Sequence, residues 1–220
     1  LDFYGQEGTR LIADGVTLLL DGFFEPVSLR HCKNVSVRGL IIDYKRKPYS
    51  HGYIEKVADD ECVVRFTADM PDGFPFPRYA VCDPHTGLFR YYPFGIKRWR
   101  RLEGNTFAVQ VDCDPKIYTG EELYVWHSYH SRPAVCIQNA EGVTLRNVVI
   151  HAQPGMGVVG HLSRDIVLDG VSVFPSAGER MSTNTDATHF SSCYGKLILQ
   201  NCVFDGHGDD AVNVHNYEHA

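Results

Sequence analysis

The chain has 220 residues, 44% of them hydrophobic, enough apolar material for one large core or two smaller ones, so a disordered chain is excluded. Its 21 basic and 27 acidic residues leave a formal net charge of −6, which argues against a nucleic-acid partner, because phosphate binding needs a net basic face. No stretch approaches the roughly 20 apolar residues of a membrane helix.

The chain opens on Leu1-Asp2-Phe3 with neither an initiator Met nor a signal peptide, and Tyr217-Glu218-His219-Ala220 follows directly on a strand-like run. Both ends read as those of a segment cut from a longer protein. Residues 1–48 then give the first of four self-similar units, Val35-Ser-Val-Arg-Gly-Leu-Ile-Ile-Asp43. The others are Val143–His151, Ile166–Phe174 and Leu197–Asp205. Positions one, three, six and eight are apolar in each, and positions four and five are polar or Gly. Two short strands meeting at a corner require that pattern, since the corner resets the period of two. Another short strand precedes each unit or follows the last: Val27–Leu29, Val135–Ile137, Val158–Val159, Thr188–Phe190 and Val212–Val214. A recurring unit of about 20 to 30 residues with almost no helical periodicity predicts an all-β chain, a right-handed parallel β-helix whose rungs stack at about 4.8 Å.

From Val35 to Val143 the offset is 108 residues, too many for one coil. Residues 49–127 carry strand–turn–strand signals around Asp59-Asp60-Glu61, Asp83–Gly87 and Glu103-Gly104-Asn105, with a further strand at Glu122–Trp126. They predict a small antiparallel β-barrel or sandwich inserted into the solenoid, with Phe74-Pro-Phe-Pro77 and Trp99 packed in loops or shaping a rim. Residues 128–220 then supply the rungs that carry chemistry. The seven cysteines show no metal-ligand spacing, and Cys32, Cys136, Cys193 and Cys202 read as small buried hydrophobes in strands.

Two acidic motifs stand directly before successive first strands: Asn184-Thr185-Asp186 and Gly208-Asp209-Asp210. From Asp186 to Asp209 is 23 residues, one full coil, so stacking puts the carboxylates on one face. Each tripeptide alone is a good turn sequence. Two of them one coil apart, with His189, His207, Asn213 and His215 around them, favour a glycosidase centre in which one carboxyl protonates the leaving oxygen and another directs water. Crowded negative charge keeps one of them protonated. One rung plus a diagonal offset predicts a separation in the roughly 6.5–9.5 Å range that implies inversion. Asn184, His189, His207, Asn213 and His215 are the expected sugar contacts, joined by Glu179 and Arg180 in the entering loop. Neither a metal nor a cofactor is expected.

The Asn-Thr-Asp and Gly-Asp-Asp arrangement resembles the acidic triad of polygalacturonase-type hydrolases, glycoside hydrolase family 28. In those enzymes a Gly-His-Gly follows the aspartates, whereas here Gly206-His207-Gly208 precedes the pair. Ser182–Phe190 followed by Gly208–His215 resembles more closely the alpha-1,3-galactosidases of glycoside hydrolase family 110, β-helix enzymes with inserted barrel domains. That resemblance implies an inverting, metal-free, exo-acting hydrolase of terminal alpha-1,3-linked galactose, as on blood group B type glycans. It matches Asp186, Asp209 and Asp210 to the family's catalytic aspartates and implies an extracytoplasmic, periplasmic or secreted, location. Two other classes share the pattern: a Ca²⁺-dependent polysaccharide lyase, which would need a Lys or Arg base nearer than Lys196, and a non-catalytic carbohydrate-binding solenoid.

Overall fold

A computed structural model describes the chain except residues 59–60, 74, 76–77, 92–94, 112–116 and 218–220. Asp59-Asp60 and most of the Phe74–Pro77 segment therefore lie outside the described residues. The described residues are all-β, without a helix, and divide into two compact units, Leu1–Lys47 with His130–Ala220, and Pro48–Tyr129.

The first unit holds three parallel sheets; each of five passes of the chain adds one strand to each, and a sixth adds β23 to the first. The first sheet takes β1 (Asp2–Tyr4), β4 (Val27–Arg30), β14 (Val135–Gln138), β17 (Val158–His161), β20 (Thr188–Ser191) and β23 (Val212–His215), in that order. The second takes β2 (Arg10–Ile12), β5 (Ser36–Arg38), β15 (Glu141–Arg146), β18 (Arg164–Asp169) and β21 (Tyr194–Gln200). The third takes β3 (Thr17–Leu20), β6 (Ile41–Tyr44), β16 (Val149–Ile150), β19 (Ser172–Val173) and β22 (Val203–Phe204).

The repeat positions explain the core. Val35, Val37, Leu40 and Ile42 align with Val143, Leu145, Val148 and Ile150 and with Ile166, Leu168, Val171 and Val173, and all twelve are at most 1% exposed. The polar corner has its own cause. Position five of each repeat, Gly39, Asn147, Gly170 and Asn201, has φ between +50° and +75°, the left-handed region that Gly and Asn enter at least cost. Cys32 and Cys136 are buried as expected, but Cys193 and Cys202 are only partly so, because they flank β21 and β22, the end strands of the second and third sheets.

One pass escapes the repeat reading. Strands β2 and β3 are separated by the four residues 13–16, whereas β5 and β6 are separated by two, so the extra Asp14-Gly15 breaks the nine-residue pattern at the first turn.

The second unit is a single antiparallel sheet with the order β10-β9-β13-β7-β8-β12-β11, built from β7 (Tyr49–Ala58), β8 (Glu61–Phe66), β9 (Arg78–Cys82), β10 (Phe89–Tyr91), β11 (Ile96–Glu103), β12 (Thr106–Val111) and β13 (Glu122–Trp126). Tyr79 and Val81 of β9 share one apolar cluster with Phe107 and Val109 of β12, although three strands intervene. The sheet therefore curls around its core; among the described residues it is one layer, not two facing ones.

A buried polar set anchors the segment that leads to the acidic motifs. Tyr44 Oη lies 2.8 Å from Gln153 Oε1, and Gln153 Nε2 donates to Phe24 O at 3.1 Å and Arg132 O at 2.6 Å. The main-chain carbonyl of Gln153 accepts from Asn184 N–H at 3.0 Å. Tyr44→Phe removes the hydroxyl and strands a buried amide oxygen, which costs about 1–3 kcal/mol. A chemical denaturation curve is expected to show that loss with unchanged slope; a midpoint equal to that of the parent would mean that the bond contributes nothing.

Candidate active site

Three successive passes of the chain meet at residues 153–157, 183–187 and 207–211. The middle one is tied to both neighbours: Gly157 N–H donates to Asp186 O at 2.9 Å, Ala187 N–H to Asp210 O at 2.9 Å, and Gly208 N–H to Thr183 O at 2.9 Å. Close approach explains the glycines. A Cβ on Gly157 would lie 2.3 Å from Ala187 O, and one on Gly208 would lie 2.3 Å from Asn184 O.

Ser182 to Thr188 are buried throughout, and Asp186 is 3% exposed. A carboxylate so enclosed needs donors. His189 Nδ1 supplies one at 2.6 Å from Oδ2, and Asp210 N–H another at 3.3 Å from Oδ1. An ionised carboxylate only accepts, so the proton of this contact resides on His189 Nδ1. Phe190 is wholly buried in the core, so the alternation of β20 turns His189 outward. Across the ladder His189 Nε2 meets His215 Nε2 at 2.9 Å, with the rings edge to face.

Asp209 and Asp210 are exposed and tip over the same point. One carboxylate oxygen from each of Asp186, Asp209 and Asp210 lies within 4.8 Å of the other two. The Asp210 N–H···Asp186 bond ties the Gly-Asp-Asp turn to Asp186. Among the described residues this is the group whose ligand atoms converge closely enough for a cation, and such spacing is common without one. Asn213 Nδ2 donates to Asp210 Oδ2 at 3.0 Å, and His207 Nδ1 donates to Asp209 O at 2.8 Å. The Asp209 carboxyl is held above the usual carboxylate range, by partial desolvation first and then by the charges of Asp186 and Asp210; His130 and His207 pull the other way.

The expected residues thus fall into three groups. Asp186, His189, His207, Asp209, Asp210, Asn213 and His215 are gathered at one place. Asn184 is fully buried, so it offers no surface to a sugar; it belongs to the framework, because its pass is covered from both sides. Glu179 and Arg180 lie half-buried in the turn before Asp186, where Glu179 N–H donates to Ser176 O at 3.0 Å. Sequence reasoning missed Ser191, whose Oγ meets His161 Nδ1 at 2.8 Å, and Tyr217, whose ring lies 4.8 Å from that of His215. Alternation carried on from His189 and His215 points to both.

No protein-family model matches the chain. Curated relatives do. An alpha-1,3-galactosidase A of Shewanella woodyi is 38% identical over 238 aligned residues, 95% of this chain and 39% of the relative. In sequence the chain is thus similar to an alpha-1,3-galactosidase along nearly its whole length. An alpha-1,3-galactosidase A of Bacteroides fragilis is 27% identical over 92% of the chain, and an alpha-1,3-galactosidase B of Parabacteroides distasonis is 27% identical over 98%. The chain spans 37–39% of the length of these relatives.

Proposed function

We propose that these residues form the hydrolytic centre of an exo-acting enzyme that removes terminal alpha-1,3-linked galactose from glycans of the blood group B type. The observation that carries the reading is the convergence of three carboxyls of unequal environment, Asp186 enclosed and doubly bonded, Asp209 exposed and crowded. Asp209, which holds its proton to higher pH than an ordinary carboxyl, serves as the acid toward the leaving oxygen. Asp186 and Asp210, each held by donors, serve the attacking water. The three-sheet unit is read as a right-handed parallel β-helix, residues 49–127 as its inserted domain, and the working compartment as periplasmic or extracellular. Inversion rests on the family resemblance.

The experiment is an assay of the full-length protein on nitrophenyl alpha-galactoside and on a B-type trisaccharide, with and without EDTA, following the first-formed anomer by NMR. Released galactose of inverted configuration, insensitive to EDTA, is the expected result. No galactose from these substrates, with an unsaturated, ultraviolet-absorbing product released from a polygalacturonate and lost with EDTA, would replace the reading by a cation-dependent lyase, for which the convergent carboxyls would be the ligands. The pH profile has a fixed sign. The acid works only while protonated, so kcat/KM falls as pH rises through the raised Asp209 value. His207→Gln removes a charge that favours the ionised form, so the basic limb is expected to move to higher pH, by less than about 0.7 of a unit, the equivalent of about 1 kcal/mol. A shift to lower pH would contradict this assignment of the acid.

A further inference from the structure

His189 was expected from sequence to touch the sugar. Its geometry says something different: both ring nitrogens are already taken, Nδ1 by Asp186 at 2.6 Å and Nε2 by His215 at 2.9 Å, and its side chain is only 15% exposed. We propose that His189 is a positioning residue, and that Asp186, His189 and His215 form a relay that fixes the orientation and proton state of the Asp186 carboxylate. This rests on the reading of Asp186 as a partner of the attacking water.

The relay has a definite proton count. Asp186 accepts, so His189 Nδ1 carries a proton. The Nε2–Nε2 contact holds one proton, because two facing N–H groups repel and two bare lone pairs do not bond. With Nδ1 occupied, either His189 is neutral and His215 donates to it, or His189 is cationic and donates to His215. In both arrangements Asp186 faces a donor that cannot turn away, since the far side of the ring is tied to the next strand. Carboxylate and imidazole partners that orient a reacting group in this way are worth about ten- to a hundred-fold in activity.

The surroundings leave this relay as the path open to His189. Its register neighbours are Val159 on β17 and Asn213 on β23, and Asn213 is engaged with Asp210. The charged and titratable groups that face it are Asp186, Asp209 and Asp210 before the two strands, His215 on β23, and His161 on β17, itself bonded to Ser191. Tyr217 closes the outer edge of His215, with its ring edge-on at 4.8 Å.

Two substitutions separate positioning from sugar contact in the full-length protein. His189→Asn keeps a donor near the place of Nδ1 and removes Nε2; His189→Ala removes both. The Ala variant is expected to lose roughly 10- to 100-fold in kcat with KM within about two-fold, and the Asn variant to recover to within roughly three-fold of the parent. Loss confined to KM would make His189 a sugar contact and overturn the inference. So would an Asn variant no better than Ala, or a His189→Ala enzyme as fast as the parent. His215→Phe keeps the ring packing and deletes the contact; it is expected to lower kcat in the parent background and to change nothing further in His189→Asn. Equal loss in both backgrounds would break the second link of the relay.

A readout independent of turnover tests the same geometry. Asp186→Asn and His189→Ala are each expected to alter the melting temperature, and the double variant by less than the sum of the two changes; strict additivity would mean that the two side chains do not act together. Absence of galactose release by the parent would sink the galactosidase reading and leave this coupling to stand or fall by itself.

Discussion

Asp209→Asn is expected to lower kcat on a B-type trisaccharide by about 10³-fold or more, while leaving the folded protein at least as stable at neutral pH. The first half follows from the role of the acid: a sugar alkoxide is a poor leaving group, and positioned proton donation contributes about 10²–10⁴-fold. At about 1.36 kcal/mol per factor of ten, a 10³-fold loss corresponds to about 4 kcal/mol of transition-state stabilisation. The assignment has a sharper consequence than inactivation. A nitrophenolate departs with little help from a proton, so the same variant should retain far more of its activity on nitrophenyl alpha-galactoside than on the trisaccharide. Equal losses on the two substrates would move Asp209 from the leaving oxygen to the water, and full activity on both would remove it from the mechanism.

The stability half has its own sign. Asp209 lies beside Asp186 and Asp210, and its carboxyl is held above the ordinary range, so ionising it in the folded state is unfavourable relative to the unfolded chain. That penalty is present above the unfolded value and disappears as pH falls. Asn carries no charge, so at neutral pH the variant is relieved of it. Solvent screens the exposed side of the residue, so the gain should be small, a rise of at most about 2 °C in Tm. A variant that loses activity and also melts several degrees lower would have lost structure as well as the acid.

The extent to which this was readable beforehand differs from element to element. Apolar positions one, three, six and eight of each repeat announce the inward face, and the Asn or Gly at position five announces a left-handed corner, because both are local requirements of the backbone. The first pass stayed hidden behind a corner two residues longer. The curl of the seven-stranded sheet also could not be read, since its order brings β13 between β9 and β7, a pairing of strands far apart in sequence. At the site, a spacing of 23 residues was enough to put Asp186 and Asp209 on neighbouring passes. It could not show that Asp210 N–H binds Asp186. Nor could it show that Asn184 faces inward or that the two histidines are spent on each other. The first two depend on single side-chain directions at a corner, where the alternation that governs a strand no longer applies, and the third on which way two outward rings turn.

That corner also sets the other large effect. Gly208→Ala is expected to reduce kcat about 100-fold and to destabilise the fold by about 1–3 kcal/mol. The missing Cβ of Gly208 points at the neighbouring pass: the added carbon would lie 2.3 Å from Asn184 O, 2.7 Å from Asn184 C and 3.3 Å from Thr183 O. All three are main-chain atoms of a segment that is itself bonded below to Gly155 and Gly157, so it cannot yield by a rotamer change. The Gly208 turn must move instead. It carries Asp209 and Asp210 with it, stretching both the Gly208 N–H···Thr183 O bond and the Asp210 N–H···Asp186 bond that hold the carboxyls together. Displacement of a reacting group by about 1 Å costs on the order of 10² in rate. Because the turn displaces Asp210, which serves the water, together with the acid, the aryl galactoside should lose most of its activity too, unlike in Asp209→Asn. A Gly208→Ala enzyme with parental kcat would show that the contact between the two passes does not set the geometry of the aspartates.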